Sequence, residues 1–239
     1  MGMIMYGDYA DVYDLIYNFL DYKKTAKKVK KLIKKHKKVK GNKLLDVGCG
    51  TGKHLSFLKN EFDCTGIDIN KEMLNIARKN YDGIRFLQAD MVNLDLNEKF
   101  DAIICLFSSI GYVKTYENLK KTITNFSNHL ELGGVVIIEP WLTKSIAIDG
   151  LASMETYASD EIKIARQSVS EIDGDISRFE MHYLVAKKNE KVNYFKDMHE
   201  LGLFDIDKTL EIMKNAGLDS KFMEKGLETK RGLFIGIKE

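Results

Sequence analysis

The sequence predicts an α/β fold with a parallel sheet covered by helices on both faces and a separate antiparallel ribbon. Three observations predict it. Short apolar runs near 43–47, 64–68, 84–88, 101–106 and 134–139 alternate with helical periodicity near 53–60, 71–80 and 116–131, as parallel strands with crossover helices do. The first run leads into a turn with glycine at every second position, Gly48, Gly50 and Gly52. After Pro140 the pattern switches to period two over 161–170, 176–187 and 191–203, which predicts antiparallel strands joined at Asp173-Gly174-Asp175 and Lys188-Asn189-Glu190.

Taken in order, the chain opens on a tyrosine stripe. Tyr6, Tyr9, Tyr13 and Tyr17 recur every three or four residues, a spacing that suits either a core face or a short helical lid over a ligand. Residues 23–40 hold eleven lysines. Ala26, Val29, Leu32 and Ile33 recur among them at helical spacing, so this is an amphipathic helix with a solvated basic face. The same face offers a nucleic-acid reading, weakened because neither arginine nor aromatic residues are interleaved with the lysines. Toward the C-terminus a helix near 206–216 ends at Gly217, a residue suited to a left-handed C-cap. Strands near 218–224 and 232–238 follow.

The glycine turn carries the chemistry. In Leu44-Leu45-Asp46-Val47-Gly48-Cys49-Gly50-Thr51-Gly52 the third glycine comes too early for a dinucleotide fingerprint. Asp46 also places a negative charge where a pyrophosphate would sit. A carboxylate there suits a cationic ligand such as an ammonium or a sulfonium. The second strand ends in Asp68, about 20 residues beyond the glycines, the distance of an acid that holds ribose hydroxyls. The third ends at Ala89-Asp90-Met91, where Asp90 can accept from an adenine amino group and Met91 can lie beside the ring. Each acid has a plainer reading as a helix cap. As an ordered set at three successive strand ends, with the glycine turn, they read as a cofactor site. Ile69, Met73 and Leu106 flank these motifs and complete the candidate cofactor set.

Composition sets the bounds. A chain of 239 residues with 44% hydrophobic and 30% charged residues accommodates one α/β domain with an insertion. No apolar run approaches the ~20 residues of a membrane span, and the start lacks a signal-peptide core. Three cysteines, Cys49, Cys64 and Cys105, match neither a metal site nor a disulfide framework. No metal is expected, and a reducing cytoplasm is the simplest location. The net charge of +2 gives no overall bias toward polyanions.

Candidate acceptor residues lie elsewhere. Leu106-Phe107-Ser108-Ser109-Ile110-Gly111-Tyr112 follows the fourth strand, and Glu139-Pro140-Trp141 follows the fifth. These are C-terminal strand ends, where ligands bind in open α/β sheets, so Ser108, Ser109, Tyr112 and Trp141 are expected to meet the acceptor. The ribbon carries Arg178, Glu180, His182, His199 and Glu200. Arg178 and Arg231 offer forked donors for a phosphate. His182 is an acceptor-side candidate, although both ribbon histidines read more simply as strand residues satisfied by neighbours.

The motifs at 45–52, 66–68, 88–91, 100–105 and 132–138 resemble those of the class I methyltransferases that use S-adenosylmethionine. That resemblance implies a Rossmann-like sheet, mostly parallel with the last strand antiparallel, and S-adenosylmethionine as cofactor. Further segments are similar to the N,N-dimethyltransferases that act on nucleotide-linked amino sugars in macrolide pathways. They are Tyr-Asp-x-x-Tyr at 13–17, Phe-Ser-Ser-Ile-Gly at 107–111, Glu-Pro-Trp at 139–141, Arg-x-Glu-x-His at 178–182, Glu-x-x-Leu-Phe at 200–204 and Arg-Gly-Leu-Phe-x-Gly at 231–236. This second resemblance implies a homodimer, with Tyr17 facing the sugar and Ser108 and Ser109 lining its site. Tyr112 stands where that family usually has histidine.

The expected organisation is a single domain over 1–239: a helical lid at 1–40, a cofactor core at 41–140, an inserted sheet at 155–204, and a C-terminal helix with two strands at 205–239. The expected activity is methylation of a small-molecule amine, such as a nucleotide-linked amino sugar. Tyr17 and Tyr112 are the candidate catalytic groups. An RNA methyltransferase working through the lysine helix, or a non-catalytic S-adenosylmethionine-binding protein, are the alternatives.

Overall fold

The structure is a computed structural model that describes residues 12, 15–18, 20–227 and 231–239. Tyr6, Tyr9 and Tyr13 of the tyrosine stripe lie outside the described residues.

The elements run α1 (Tyr22–His36), β1 (Lys43–Val47), α2 (Lys53–Leu58), β2 (Asp63–Asp68), α3 (Lys71–Asn80), β3 (Arg85–Gln88), β4 (Phe100–Cys105), α4 (Tyr116–Asn128) and β5 (Leu130–Ile138). There follow β6 (Ala152–Ala158), β7 (Ile162–Asp173), β8 (Ile176–Lys187), β9 (Asn193–Gly202), α5 (Ile206–Asn215), β10 (Leu218–Met223) and β11 (Leu233–Lys238). Short 3-10 turns cover Met91–Asn93 and Ser109–Val113.

Seven strands form the main sheet in the order β10-β11-β5-β4-β1-β2-β3. Its β-α-β part is parallel, and β11 runs antiparallel to β5. Burial follows from the period-two geometry of strands. Leu44, Ile104, Val135 and Ile137 point to one face, where they meet Val29 and Ile33 of α1. Leu45, Ile103, Val136 and Ile138 point to the other, where they meet Ile123 and Phe126 of α4 and Met213 of α5. Each such side chain contributes about 1.5–3 kcal/mol when fully buried. Both faces are needed, which is why the strands read as continuous apolar runs.

Caps fix the helix ends. Asp21 accepts from the Lys24 amide at 2.8 Å, Asn70 from Glu72 and Met73, Thr115 from Asn118, and Asp205 from Asp207 and Lys208. The expected helix to 131 stops at Asn128. His129 leaves the helix and its ring accepts from the Leu96 amide at 3.0 Å, while Leu130 already pairs with Phe100 of β4. Gly217 sits at φ +77, the left-handed conformation expected of it.

The insertion is a four-stranded antiparallel sheet, β6-β7-β8-β9, and it begins at Ala152, not at 155. The extra strand is an edge strand with exposed or half-buried side chains throughout. Its pattern is therefore weak in sequence, and only its pairing with β7 defines it. No described helix is long and apolar enough to cross a membrane.

Candidate functional site

β1 lies between β2 and β4, so the strand order reverses beside it. The crevice at the C-terminal strand ends opens there. It leads into a cavity of about 1130 Å3 that runs from the glycine turn to the inner face of the small sheet.

The turn is anchored by the amides of Gly48 and Cys49, both donating to the Ile67 carbonyl at 2.8 and 2.9 Å. Gly48 and Gly50 adopt φ +71 and +55, left-handed values that an L side chain resists. At Gly50 a Cβ would meet nothing within 4 Å, so the backbone faces open cavity. Gly52 departs from expectation. It does not line the cavity; it turns the chain into α2 at φ +80, and a Cβ there would lie 2.9 Å from the Phe86 ring. Its glycine serves helix packing.

Asp46 is 2% exposed, and its Oδ2 has no hydrogen-bond partner among the described residues. Burial first, and the Asp68 charge second, push its pKa up to about 8. Asp68 accepts from the Gly50 amide at 2.9 Å through Oδ2 and from the Asn70 amide at 2.8 Å through Oδ1. Burial raises its pKa against those amides, which hold it down. Asp90 caps its 3-10 turn, accepting from Val92 N–H and Asn93 Nδ2, each at 2.9 Å. Asp90 nonetheless lines the cavity with Ile69, Met73, Met91 and Leu106.

The loop after β4 is strained. Phe107 and Ser108 both have positive φ, 51 and 65, held by two tethers. The Phe107 amide donates to Glu139 Oε2 at 2.7 Å, and Ser108 Oγ donates to the Pro140 carbonyl at 2.8 Å. Ser108 Oγ also accepts from Arg231 Nη1 at 2.7 Å. Ser108 is therefore a brace, its hydroxyl engaged on both sides. Ser109 Oγ reaches the Gly48 carbonyl at 3.4 Å and joins the two loops. Arg231 stacks 4.2 Å over the Trp141 ring. Burial lowers its pKa, with Glu139 and Tyr17 opposing.

The inner face of the small sheet forms the opposite wall. Ser153, Glu155, Arg166, Ser168, Ser177 and Phe179 all line the cavity. Arg166 is 4% exposed. It donates to the Tyr17 hydroxyl at 2.7 Å and pairs with Glu155 at 3.1 Å. Tyr17 meets Phe107 edge-on at 5.1 Å. Tyr112 lines the cavity beside His199, and its hydroxyl lies 2.8 Å from His199 Nδ1.

Two expected acceptor contacts are corrected. Arg178 and His182 occupy even-numbered positions of β8, while Ser177, Phe179 and Met181 turn inward. Strand alternation sends both to the outer face. There Arg178 pairs with Glu200 at 2.8 Å, and His182 contacts the Tyr194 hydroxyl and Glu180. Sequence reasoning missed Arg166. Its signal was parity: Ile164, Arg166 and Ser168 share one face of β7, so a charge falls on the buried side.

The chain matches a methyltransferase domain family over residues 44–134. It is 38% identical over 233 residues to the dTDP-3-amino-3,4,6-trideoxy-alpha-D-glucopyranose N,N-dimethyltransferase of Streptomyces venezuelae, covering 96% of this chain and 98% of that one. Among solved structures, DesVI from Streptomyces venezuelae matches with TM-score 0.92 and 37% identity over 97% of this chain and 99% of that chain. The amino pentose methyltransferase CalS10 from Micromonospora echinaspora, solved with S-adenosylmethionine bound, matches with TM-score 0.87 and 30% identity over 95% of this chain and 97% of that one.

Proposed function

The chain belongs to the S-adenosylmethionine-dependent methyltransferases, in the family of the nucleotide-linked amino-sugar N,N-dimethyltransferases, and from that premise we propose that its acceptor is the amine of a nucleotide-linked amino sugar. The supporting observation is the single cavity that joins the glycine turn to the wall of Tyr17, Tyr112, Trp141 and Arg231.

The residues fit the cofactor. The unpartnered, buried Asp46 oxygen suits the ammonium of the amino-acid part, and the open face of Gly50 admits close backbone approach. Asp68 takes the ribose hydroxyls, while Asp90, Met91, Ile69, Met73 and Leu106 surround the adenine. When bound, the cofactor supplies an electrophilic methyl group on a sulfonium. The chain itself orients the acceptor, excludes water and disposes of the amine proton. Proximity and alignment in such a site are worth about 7–11 kcal/mol of barrier.

Tyr17, held by Arg166, and Tyr112, held by His199, present hydroxyl groups to the amine. Trp141 and Ser109 shape the sugar side. Arg231 supplies positive charge toward the anionic nucleotide, with Ser108 setting its position. Of the expected lid, the described Tyr17 and Leu20 reach the cavity, and residues 1–11 lie outside the described residues. The outer face of the small sheet exposes Met154, Val169, Leu184, Tyr194 and Met198, an apolar band that suits a homodimer interface. The free, buried Cys49, Cys64 and Cys105 suit a reducing cytoplasm.

The test is turnover. Purified enzyme given S-adenosylmethionine and a dTDP-linked 3-amino sugar should release demethylated cofactor and yield a dimethylated product by mass spectrometry. Methylation of RNA with no turnover of any amino sugar would overturn the proposal.

A further inference from the structure

We infer that Tyr112, His199 and Asp197 form a relay that accepts the proton of the acceptor amine, an inference that rests on the amine-methylation reading above. The three groups line up from the cavity inward. Tyr112 is 38% exposed and lines the cavity; its hydroxyl lies 2.8 Å from His199 Nδ1. His199 Nε2 lies 3.1 Å from Asp197 Oδ2, with side-chain exposures of 4% and 2%. Neither of those last two atoms has a standard hydrogen-bond partner among the described residues.

The carboxylate 3.1 Å from Nε2 favours the tautomer that carries its hydrogen there, which leaves Nδ1 as the acceptor. Tyr112 then donates to Nδ1, and its partly exposed side chain lines the cavity. Stacking holds the imidazole in place. Phe179 lies against it at 5.4 Å, and Trp141 lies behind Phe179 at 5.7 Å. The surroundings are largely apolar. β8 places Phe179 and Met181 opposite His199 and Asp197, and its Tyr183 feels the Asp197 charge. Arg231 stands beyond Trp141. Glu200, the next residue of β9, is engaged by Lys114 and Arg178.

The chemistry needs such a sink. An amino-sugar amine arrives as an ammonium, which has no lone pair to attack with. In the relay the ammonium N–H bond breaks and its proton passes to the Tyr112 oxygen. The Tyr112 O–H bond breaks in concert, and that proton passes to His199 Nδ1. The amine regains its lone pair, Tyr112 stays neutral, and the imidazolium is held by the Asp197 carboxylate. After one methyl transfer the product is a secondary ammonium, and the same step readies it for the second. Return through Tyr112 to water resets the relay. Tyr112 is the group that touches the acceptor; His199 and Asp197 act through it.

The test is the pH profile of kcat in Tyr112→Phe and Asp197→Asn, with acceptor KM and cofactor Kd measured alongside. At pH 7 kcat should fall about 100-fold in Tyr112→Phe and recover above about pH 9, where solvent deprotonates the amine. Acceptor KM and cofactor Kd should stay within about twofold. Wild-type kcat in Tyr112→Phe from pH 6 to 9, or an equal loss at every pH, overturns the relay alone. A wild-type enzyme inert toward every amino sugar overturns the functional reading instead. Because Tyr112 is partly exposed, its variant decides the matter even where Asp197→Asn does not fold.

Discussion

At the scale of residues, Asp46 shows what the cofactor-free site costs. Its folded pKa of about 8 stands above the ordinary carboxylate value, so the folded chain holds a proton that the unfolded chain has released. Stability therefore falls as pH rises from about 4 to about 8, and levels off above the folded value. Asp68 shifts in the same direction and adds to the slope. A bound cation favours the ionised Asp46, so cofactor affinity should rise with pH over the same window. Thermal denaturation at pH 5, 6, 7 and 8 should show the falling Tm without cofactor and a flatter line in Asp46→Asn. A slope unchanged in Asp46→Asn would count against the assignment. Much of this was legible in the sequence: an acid in an apolar strand before the glycines already pointed to a cation. The roles of Gly52 and Ser108 were not, because a glycine that packs on Phe86 and a serine that braces Arg231 look the same in sequence as ligand contacts.

At the scale of elements, parity decides what each strand can do. The ribbon was legible as alternating strands, yet alternation alone does not say which parity faces the cleft. Arg166 and Arg178 stand on β7 and β8, and only Arg166 turns inward. This yields a paired expectation. Arg231→Ala should lower acceptor kcat/KM by about 10- to 100-fold, the worth of a charged hydrogen bond of about 1.5–3 kcal/mol, with cofactor Kd unchanged. Arg178→Ala should leave monomer-level kcat/KM within about twofold. Steady-state kinetics with isothermal titration of the cofactor distinguishes the two. α1 behaves as its amphipathic pattern predicted: Thr25, Ala26, Val29 and Ile33 are buried, while Lys30 and Lys34 pair with Glu61. Neutralising Lys27, Lys31 and Lys35 together should not reduce turnover, since exposed lysines contribute little to a distant site. The edge strand β6 escaped the sequence because an edge strand has little side-chain burial to advertise it.

At the scale of the whole molecule, the centre of the parallel sheet was legible because β4 is buried along its whole length and β1 and β2 along most of theirs, while the antiparallel end, where β10 is mostly exposed or half-buried, followed from the family resemblance. Contacts between distant segments, such as Tyr17 with Arg166 or Ser108 with Arg231, arise only when the fold closes. The outer face of the small sheet carries the remaining expectation. Leu184 and Met198 are 51% and 47% exposed, and a two-fold pairing through that face would bury the same patch on both copies. Light scattering should report a dimer at micromolar concentration for the wild type and a monomer for Leu184→Asp with Met198→Asp. A wild-type monomer would remove the interface.

The small sheet leaves the chain after β5 and returns before α5, so its residues form one continuous stretch. The groups at the donor end, from Asp46 to Leu106, all precede that stretch. Inheritance can thus act on the two ends of the cavity separately. Drift within 152–202 reshapes the chamber that admits an acceptor while the machinery that holds the methyl donor passes on unchanged. A lineage built this way explores new acceptors by rewriting one contiguous segment, retuning Tyr17, Ser109, Tyr112, Trp141 and Arg231 outside it.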